Sequence, residues 1–414
     1  MTAEPAVPDA AGSLDRLVRT EGRAVLATLV RTTGRFDLAE DAVQEAVLRA
    51  LETWPRDGIP DHPRAWLTTV ARNRAVDLVR REARRDHKEE EAVRLLDDPD
   101  PQPEQDLLRL VFTCCHPTLS VEAQVALSLR TLCGLSTAEV AAALLVPEAT
   151  MAKRLTRARQ KIAVARIPYR VPDDHELPDR LAGVAATVYL VFNPGDGEPP
   201  PVPTVASPRP GDASGEASEL ARTLHALVPD EPAAIGLLAL VLLQQARRPG
   251  RFDADGVAVP LRDQDRSRWD RDLIAEGVVL VGEGLRRTPE RADPYVVQAA
   301  IAACHALAPT AEATEWDAVV SWYDVLLDVH DTPVVRLNRA AALAERDGPE
   351  AGLAAIEAVD GLDGYPFRHA GRAELLARLD RPDEARQAWD RALALGLPGA
   401  HARWVERRIQ GLGA

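Results

Sequence analysis

The chain is 414 residues long, 46% hydrophobic and only 4% aromatic, with a net charge of −14. Its length leaves room for two or three domains with real cores, and its apolar content excludes wholesale disorder. The acidity excludes nothing about nucleic-acid binding once it is divided by position: residues 1–165 carry 23 Lys+Arg against 25 Asp+Glu, whereas residues 166–414 carry 27 against 39.

Residues 1–13 are a small Pro/Ala-rich tail that reads as disordered. Helical patterning begins at Leu14 and runs through Leu17, Val18, Val25, Leu26 and Leu29 until Gly34. Asp37 and Glu40 predict a capping box for a helix over 38–54. Its inward positions are Ala42, Val43, Ala46, Leu48, Ala50 and Leu51, and its polar side holds Glu40, Asp41, Gln44 and Glu45. Residues 55–60 read as a loop, Asp61 as a cap, and Pro63 as the first turn of another helix ending near Arg85. That helix carries Arg64, Arg72, Arg74, Arg80, Arg81, Arg84 and Arg85 against Asp77 and Glu82. Trp54 and Trp66 lie before it and in its first turn. Arginines neutralise phosphates and indole faces stack on unpaired bases, although core packing explains each tryptophan equally well. Residues 86–104 switch to a charged, proline-containing linker.

Amphipathic helices over 107–115 and 121–132 lead into the most informative stretch, 135–162. Ser136 and Glu139 make a capping box, Leu145-Val146-Pro147 interrupts the short helix it starts, and a second helix begins near Glu148. Met151, Leu155, Ala158 and Ile162 form its buried stripe, while Lys153, Arg154, Arg157, Arg159 and Lys161 face one acid, Glu148. Two short helices around a tight turn, the second one basic, follow the helix-turn-helix pattern. A cationic solvated face on an ordinary hairpin is the alternative these residues alone leave open.

From Pro168 the character changes. A helix rich in Ala and Val over 177–192 precedes a Pro/Gly/Ser-rich loop at 193–215, and helices resume at 217–227 and 232–247. Residues 263–270, Asp-Gln-Asp-Arg-Ser-Arg-Trp-Asp, alternate acid and base densely and read as a salt-bridged helix start or an interdomain contact. Further on, Arg339-Ala340 through Pro349 aligns with Arg372-Ala373 through Pro382 at an offset of 33, which also pairs Ile356 with Trp389. Helix, proline-containing turn and helix at nearly 34 residues is tetratricopeptide-like, a unit whose stacking makes a concave surface.

Several chemistries find no support. The cysteines Cys114, Cys115, Cys133 and Cys304 lack metal-ligand spacing and read as small buried thiols. Walker, dinucleotide-binding, GxSxG and HExxH motifs are missing, so neither an enzyme nor a cofactor is expected. Residues 1–12 lack a signal-peptide pattern, and the longest apolar run, 235–243, is too short to span a bilayer. A cytoplasmic protein with no membrane partner is expected.

With these residues in hand, a family resemblance emerges. Asp37-Leu38-Ala39-Glu40-Asp41-Ala42-Val43-Gln44-Glu45-Ala46 resembles the core-polymerase-binding helix of bacterial sigma factors of the extracytoplasmic-function class. Residues 65–77, from Ala65-Trp66-Leu67 to Ala75-Val76-Asp77, resemble that family's promoter-melting helix, and 135–162 its final helix-turn-helix. Residues 167–172, 176–181 and 263–270 resemble the subgroup with a long tetratricopeptide-like extension. One departure stands out, since Val191-Phe192-Asn193 continues with Pro194-Gly195-Asp196 where the subgroup has Glu-Gly-Tyr.

The resemblance implies an all-α fold: a tail at 1–13, sigma region 2 at 14–85, the acidic linker at 86–104, and region 4 with its helix-turn-helix at 105–165. A helical extension at 170–285 and tetratricopeptide-like repeats at 286–414 follow. It implies transcription initiation without catalysis. Asp37, Glu40, Asp41, Gln44 and Glu45 would dock on RNA polymerase core. Trp66, Arg72, Asn73, Arg74, Asp77 and Arg80 would hold melted promoter DNA, beside a base pocket bordered by 55–60. Thr150, Lys153, Arg154 and Arg157 would read duplex promoter DNA in the major groove, with Arg159 and Lys161 on its backbone. The acidic back half would be a fused regulatory module with an intramolecular or protein partner. The alternative is a helix-turn-helix regulator that never binds core polymerase.

Overall fold

A computed structural model describes residues 10–86, 103–144, 146–173, 175–192 and 213–411. The tail and nearly all of the acidic linker and proline-rich loop therefore lie outside the described residues. Among those described there are eighteen α-helices and no β-strand, only a single bridge between Phe252 and Ala258. The chain divides into two compact units, Met1–Val188 and Tyr189–Ala414.

In the first unit, α1 (Ala10–Thr33), α2 (Phe36–Asp57) and α3 (Pro63–Asp86) pack on one another. Small residues on α2, Ala39, Ala42, Ala46 and Ala50, are fully buried and bring its backbone close to its neighbours. The expected capping box is absent. The helix begins at Phe36 after Arg35, and Asp37 in its first turn is taken by the Arg35 guanidinium (2.7 and 3.0 Å), which frees Glu40 to turn inward. Leu48 and Leu51, expected inside, are 59% and 46% exposed. The loop is shorter than predicted too: Pro55 sits within the last helical turn, and Gly58, at φ +86°, closes the helix by donating its N–H to the Trp54 carbonyl. Helix α3 starts at Pro63, and Trp66 N–H donates to the His62 carbonyl, so Asp61 stands one residue too early to cap it.

Helices α4 (Pro103–Cys114), α5 (Val121–Thr131), α6 (Thr137–Ala143) and α7 (Glu148–Val164) complete this unit together with most of α8 (Leu177–Phe192). Here the sequence signals hold. The Ser136 N–H donates to Glu139 (2.6 Å) and the Glu139 N–H to Ser136 Oγ (3.2 Å), forming the reciprocal cap. Met151, Leu155, Ala158 and Ile162 are the buried residues of α7. Cys114, Cys115 and Cys133 are buried free thiols, and burial pushes Cys115 up to about 11.

The second unit is built around α10 (Pro232–Ala246), whose residues from Ala234 to Gln244 are all buried. Around it pack α9 (Ala213–Leu227), α11 (Arg271–Arg287) and α12 (Pro294–Leu307). Close approach needs glycine at Gly236, because an added Cβ would lie 2.4 Å from the Val296 nitrogen. Helices α13 (Trp316–Val329), α14 (Pro333–Arg346), α15 (Pro349–Glu357), α16 (Pro366–Arg378), α17 (Pro382–Ala394) and α18 (Gly399–Gly411) continue as stacked hairpins. Their starts at Pro333 and Pro366, and at Pro349 and Pro382, keep the offset of 33. Tyr323, Ile356 and Trp389 occupy successive equivalent positions and are all buried. The ion pairs repeat as well, Arg339–Asp324 at 2.6 Å and Arg372–Glu357 at 3.1 Å. This is a tetratricopeptide-like array.

The run 263–270 starts helices by capping rather than by salt bridges. Asp265 accepts from the Ser267 N–H (3.0 Å), and Asp270 accepts from the Asp272 and Leu273 N–H groups (3.0 and 3.1 Å) to cap α11. Ahead of it, residues 251–262 form a strap across the array. Arg407 of α18 holds Asp253 (2.6 Å) and Asp255 (2.9 Å), the Ala258 N–H donates to the Ala400 carbonyl (3.2 Å), and Arg262 pairs with Glu374.

The hairpin packing sets a clear expectation at two helical glycines. A Cβ at Gly352 would lie 2.3 Å from Ala344 Cβ, so Gly352→Ala should destabilise the protein by about 1–3 kcal/mol. At Gly371 the nearest atom is Ile356 Cδ1 at 3.7 Å, so Gly371→Ala should be neutral or stabilising by up to about 1 kcal/mol. Urea unfolding of both variants, followed by circular dichroism, checks the contrast.

Candidate nucleic-acid interface

Helix α7 presents its polar side because its apolar stripe is committed to the core. Thr150, Lys153, Arg157 and Lys161 are exposed, forming a ridge along one side. Arg154 is half-buried. Arg159 points elsewhere: its guanidinium reaches Glu40 on α2 at 2.5 Å. The basic set predicted for DNA thus divides into an outward ridge and one inward arginine.

On α2, Asp41, Gln44 and Glu45 are exposed, while Glu40 is only 7% exposed. Gln44 donates to Glu40 (3.3 Å), and Glu45 pairs with Arg74 of α3 (2.5 Å). Burial raises the Asp37 carboxyl, but the Arg35 guanidinium beside it outweighs this and leaves it below the usual carboxylate range. The exposed leucines Leu48 and Leu51 lie on the same helix as these acids.

A cavity of about 670 Å³ opens between the end of α2, residues 58–60 and α3, lined by Trp54, Ile59, Trp66, Asn73, Arg74 and Asp77 among others. Trp54 and Trp66 meet edge to face with ring centroids 5.5 Å apart. Trp54 is buried, and its indole N–H has no hydrogen-bond partner. Arg72, Asn73, Asp77 and Arg80 are exposed along α3. Six residue types predicted for melted DNA therefore share one helix, three of them lining this cavity together with Trp66.

Sequence reasoning missed the polar contacts that join the two halves of this unit. Asp106, fully buried, accepts from Arg31 of α1 (2.8 Å) and from Arg109 (3.0 Å). The Tyr169 hydroxyl lies 2.8 Å from the carbonyls of both Ala27 and Asp106, and burial raises its acidity constant further. Arg130 lines a second cavity of about 280 Å³ with Glu40, and burial pulls its guanidinium below the ordinary range. The partners are 63 to 142 residues apart, so no local spacing signals them.

Comparison with known proteins fits these two halves. Residues 17–85 match Sigma-70 region 2, and residues 109–162 match Sigma-70, region 4. The chain belongs to the sigma-70 family, in its extracytoplasmic-function class. The sigma factor continues in a C-terminal extension, of which residues 180–284 match a family of unknown function. An uncharacterized protein of Rhizobium meliloti (strain 1021) is 41% identical over 416 residues, covering 97% of this chain and 96% of that one. The crystal structure of the yeast Tom70 is similar at 10% identity over 99% of this chain and 75% of its own, with a TM-score of 0.38, too weak a likeness to bear on the fold. No described helix is long and apolar enough to cross a membrane.

The Glu40–Arg159 pair is largely withdrawn from water, whereas Arg35–Asp37 is 44% and 42% exposed. A double-mutant cycle with Glu40→Gln and Arg159→Gln should give a coupling of about 1–2 kcal/mol, against roughly 0.5 kcal/mol or less for the Arg35–Asp37 cycle. Equal couplings from urea unfolding would show that the buried pair does not fasten the two regions.

Proposed function

We propose that this sigma factor binds RNA polymerase core in the cytoplasm and directs promoter-specific initiation. The observation that carries the reading is the tryptophan-lined cavity beside the exposed polar ridge of α3. A regulator acting through its helix-turn-helix alone has no use for such a cavity. Extruding a base costs a few kcal/mol, and stacking on an aromatic returns about 1–3 kcal/mol per base, so capture of one unpaired base in the cavity offsets the opening of the duplex. Asn73 and Asp77 supply hydrogen bonds at its wall, and Arg72 and Arg80 supply charge for the strand.

The ridge Thr150, Lys153 and Arg157 enters the major groove of the upstream promoter element, supported by Arg154, while Lys161 meets phosphate. Asp41, Gln44 and Glu45, with Leu48 and Leu51, form the docking face for a basic, partly apolar element of core polymerase, where complementary charge speeds association. Glu40 and Arg159 belong to these two faces but satisfy each other, so full engagement requires regions 2 and 4 to part. Residues 170–414 act as the fused regulatory module.

Pull-down and run-off transcription with purified bacterial core polymerase test the reading. The intact chain should bind core and initiate from a defined promoter, and Asp41→Arg/Glu45→Arg should lose both activities; absence of core binding by the intact chain refutes it. Tyr169→Phe removes a hydrogen bond of the closed arrangement without touching either face. It should strengthen core binding about threefold to tenfold, read by fluorescence anisotropy, and an unchanged affinity would mean that no opening is needed.

A further inference from the structure

The concave side of the second unit is roofed by the strap, and beneath it lie two adjoining cavities of about 320 Å³ each. Both are lined by Pro260 of the strap, Asn338 and Ala341 of α14, Gly371 of α16 and Trp404 of α18. A roofed compartment of this size suits a small molecule, whereas an extended peptide needs an open channel.

One end of the first cavity carries an unusual charge. Arg266 lines it, is 6% exposed, and has no ion pair among the described residues. Its terminal nitrogens donate to neutral oxygens only: the carbonyls of His305 (2.7 Å) and Ala308 (2.8 Å) and the Thr314 hydroxyl (3.3 Å). Its Nε is buried without a partner. The guanidinium also sits 4.9 Å over the Trp269 ring, a contact that stabilises it but leaves its charge uncompensated. Buried charges are ordinarily paired, and removal of one partner leaves the other at high cost.

Beside it, His305 lines the same cavity, is 9% exposed, and has no hydrogen-bond partner at Nδ1. Its ring meets Trp316 edge to face at 5.3 Å. Burial, followed by the charges of Arg247 and Arg266, pushes its pKa down to about 3, so the imidazole is neutral at physiological pH and offers a hydrogen bond without a second charge. The rest of the compartment is mainly apolar, with Tyr323, Ile356 and Trp404 on its walls.

We propose that this compartment binds an organic carboxylate with a compact apolar body, its carboxylate resting at Arg266 and His305. A body of roughly 10–15 heavy atoms matches the volume of one cavity. The ligand completes a charge pair that the chain leaves open, and the strap closes over it. Nothing in this proposal depends on promoter recognition, and its failure leaves core binding untouched.

Decanoate and decanol serve as probes, titrated into the full-length protein by calorimetry. Decanoate should bind saturably, and decanol, which has the same chain without the charge, about tenfold or more weakly. Gly371→Leu fills the compartment from a helical position where a Cβ meets only Ile356 Cδ1 at 3.7 Å, so the variant should keep its melting temperature and lose binding at least tenfold. Arg266→Gln should reduce decanoate binding to the decanol level; should that variant fail to fold, the decanol arm and Gly371→Leu still decide. Equal binding of the two probes, undiminished binding to Gly371→Leu, or no saturable binding of decanoate would each overturn the proposal.

Discussion

A charge that leaves water must find an opposite charge or a full set of hydrogen bonds. The first unit of this sigma factor is arranged around that constraint. Its alanine-lined α2 brings backbones too close to leave room for water, and the charged groups caught between helices resolve in pairs: Arg159 with Glu40, and Arg31 and Arg109 with Asp106. Each pair joins residues of region 2 to residues of region 4 or the helix before it, except Arg109–Asp106, which steadies the shared carboxylate. Hydrophobic burial supplies most of the stability, and these pairs select one packing of the two regions over others.

The second unit meets the same constraint by repetition. A period of 33 residues places Tyr323, Ile356 and Trp389 in successive layers and repeats the arginine–carboxylate pair on the outside. Each hairpin contacts mainly its neighbours, so the array has two ends that need covering. At one end α10 is buried on all sides. At the other, α18 is held by the strap through Arg407 and Ala400.

Much of this was legible in the sequence, for physical reasons that can be named. Helix signals that act within four residues transferred intact: the Ser136–Glu139 cap, the α7 stripe and the proline starts of the repeat. The tryptophan pair and the glycine turn at Gly58 were also visible as neighbours of one loop. What failed depended on distance. Glu40 was read as a capping residue because Asp37 stands three positions earlier, but Arg35 claims Asp37 and Arg159 claims Glu40, and only the fold brings those groups together. Leu48 and Leu51 carry the right spacing for a core face yet lie outside it, since alanines at neighbouring positions already fill the contact. The caps of 263–270 looked like salt bridges because alternating charges do not reveal whether an aspartate faces a guanidinium or a helix N-terminus.

The separation of Glu40 from Arg159 by 119 residues has a consequence during synthesis. At about 5–20 residues per second, the ribosome delivers the arginine some 6–24 s after the glutamate. Through that interval α2 exists with its acidic side unshielded, and the newborn chain is chemically a different object from the finished one. The closed arrangement is thus a late event in the life of each molecule, settled only after region 4 has emerged.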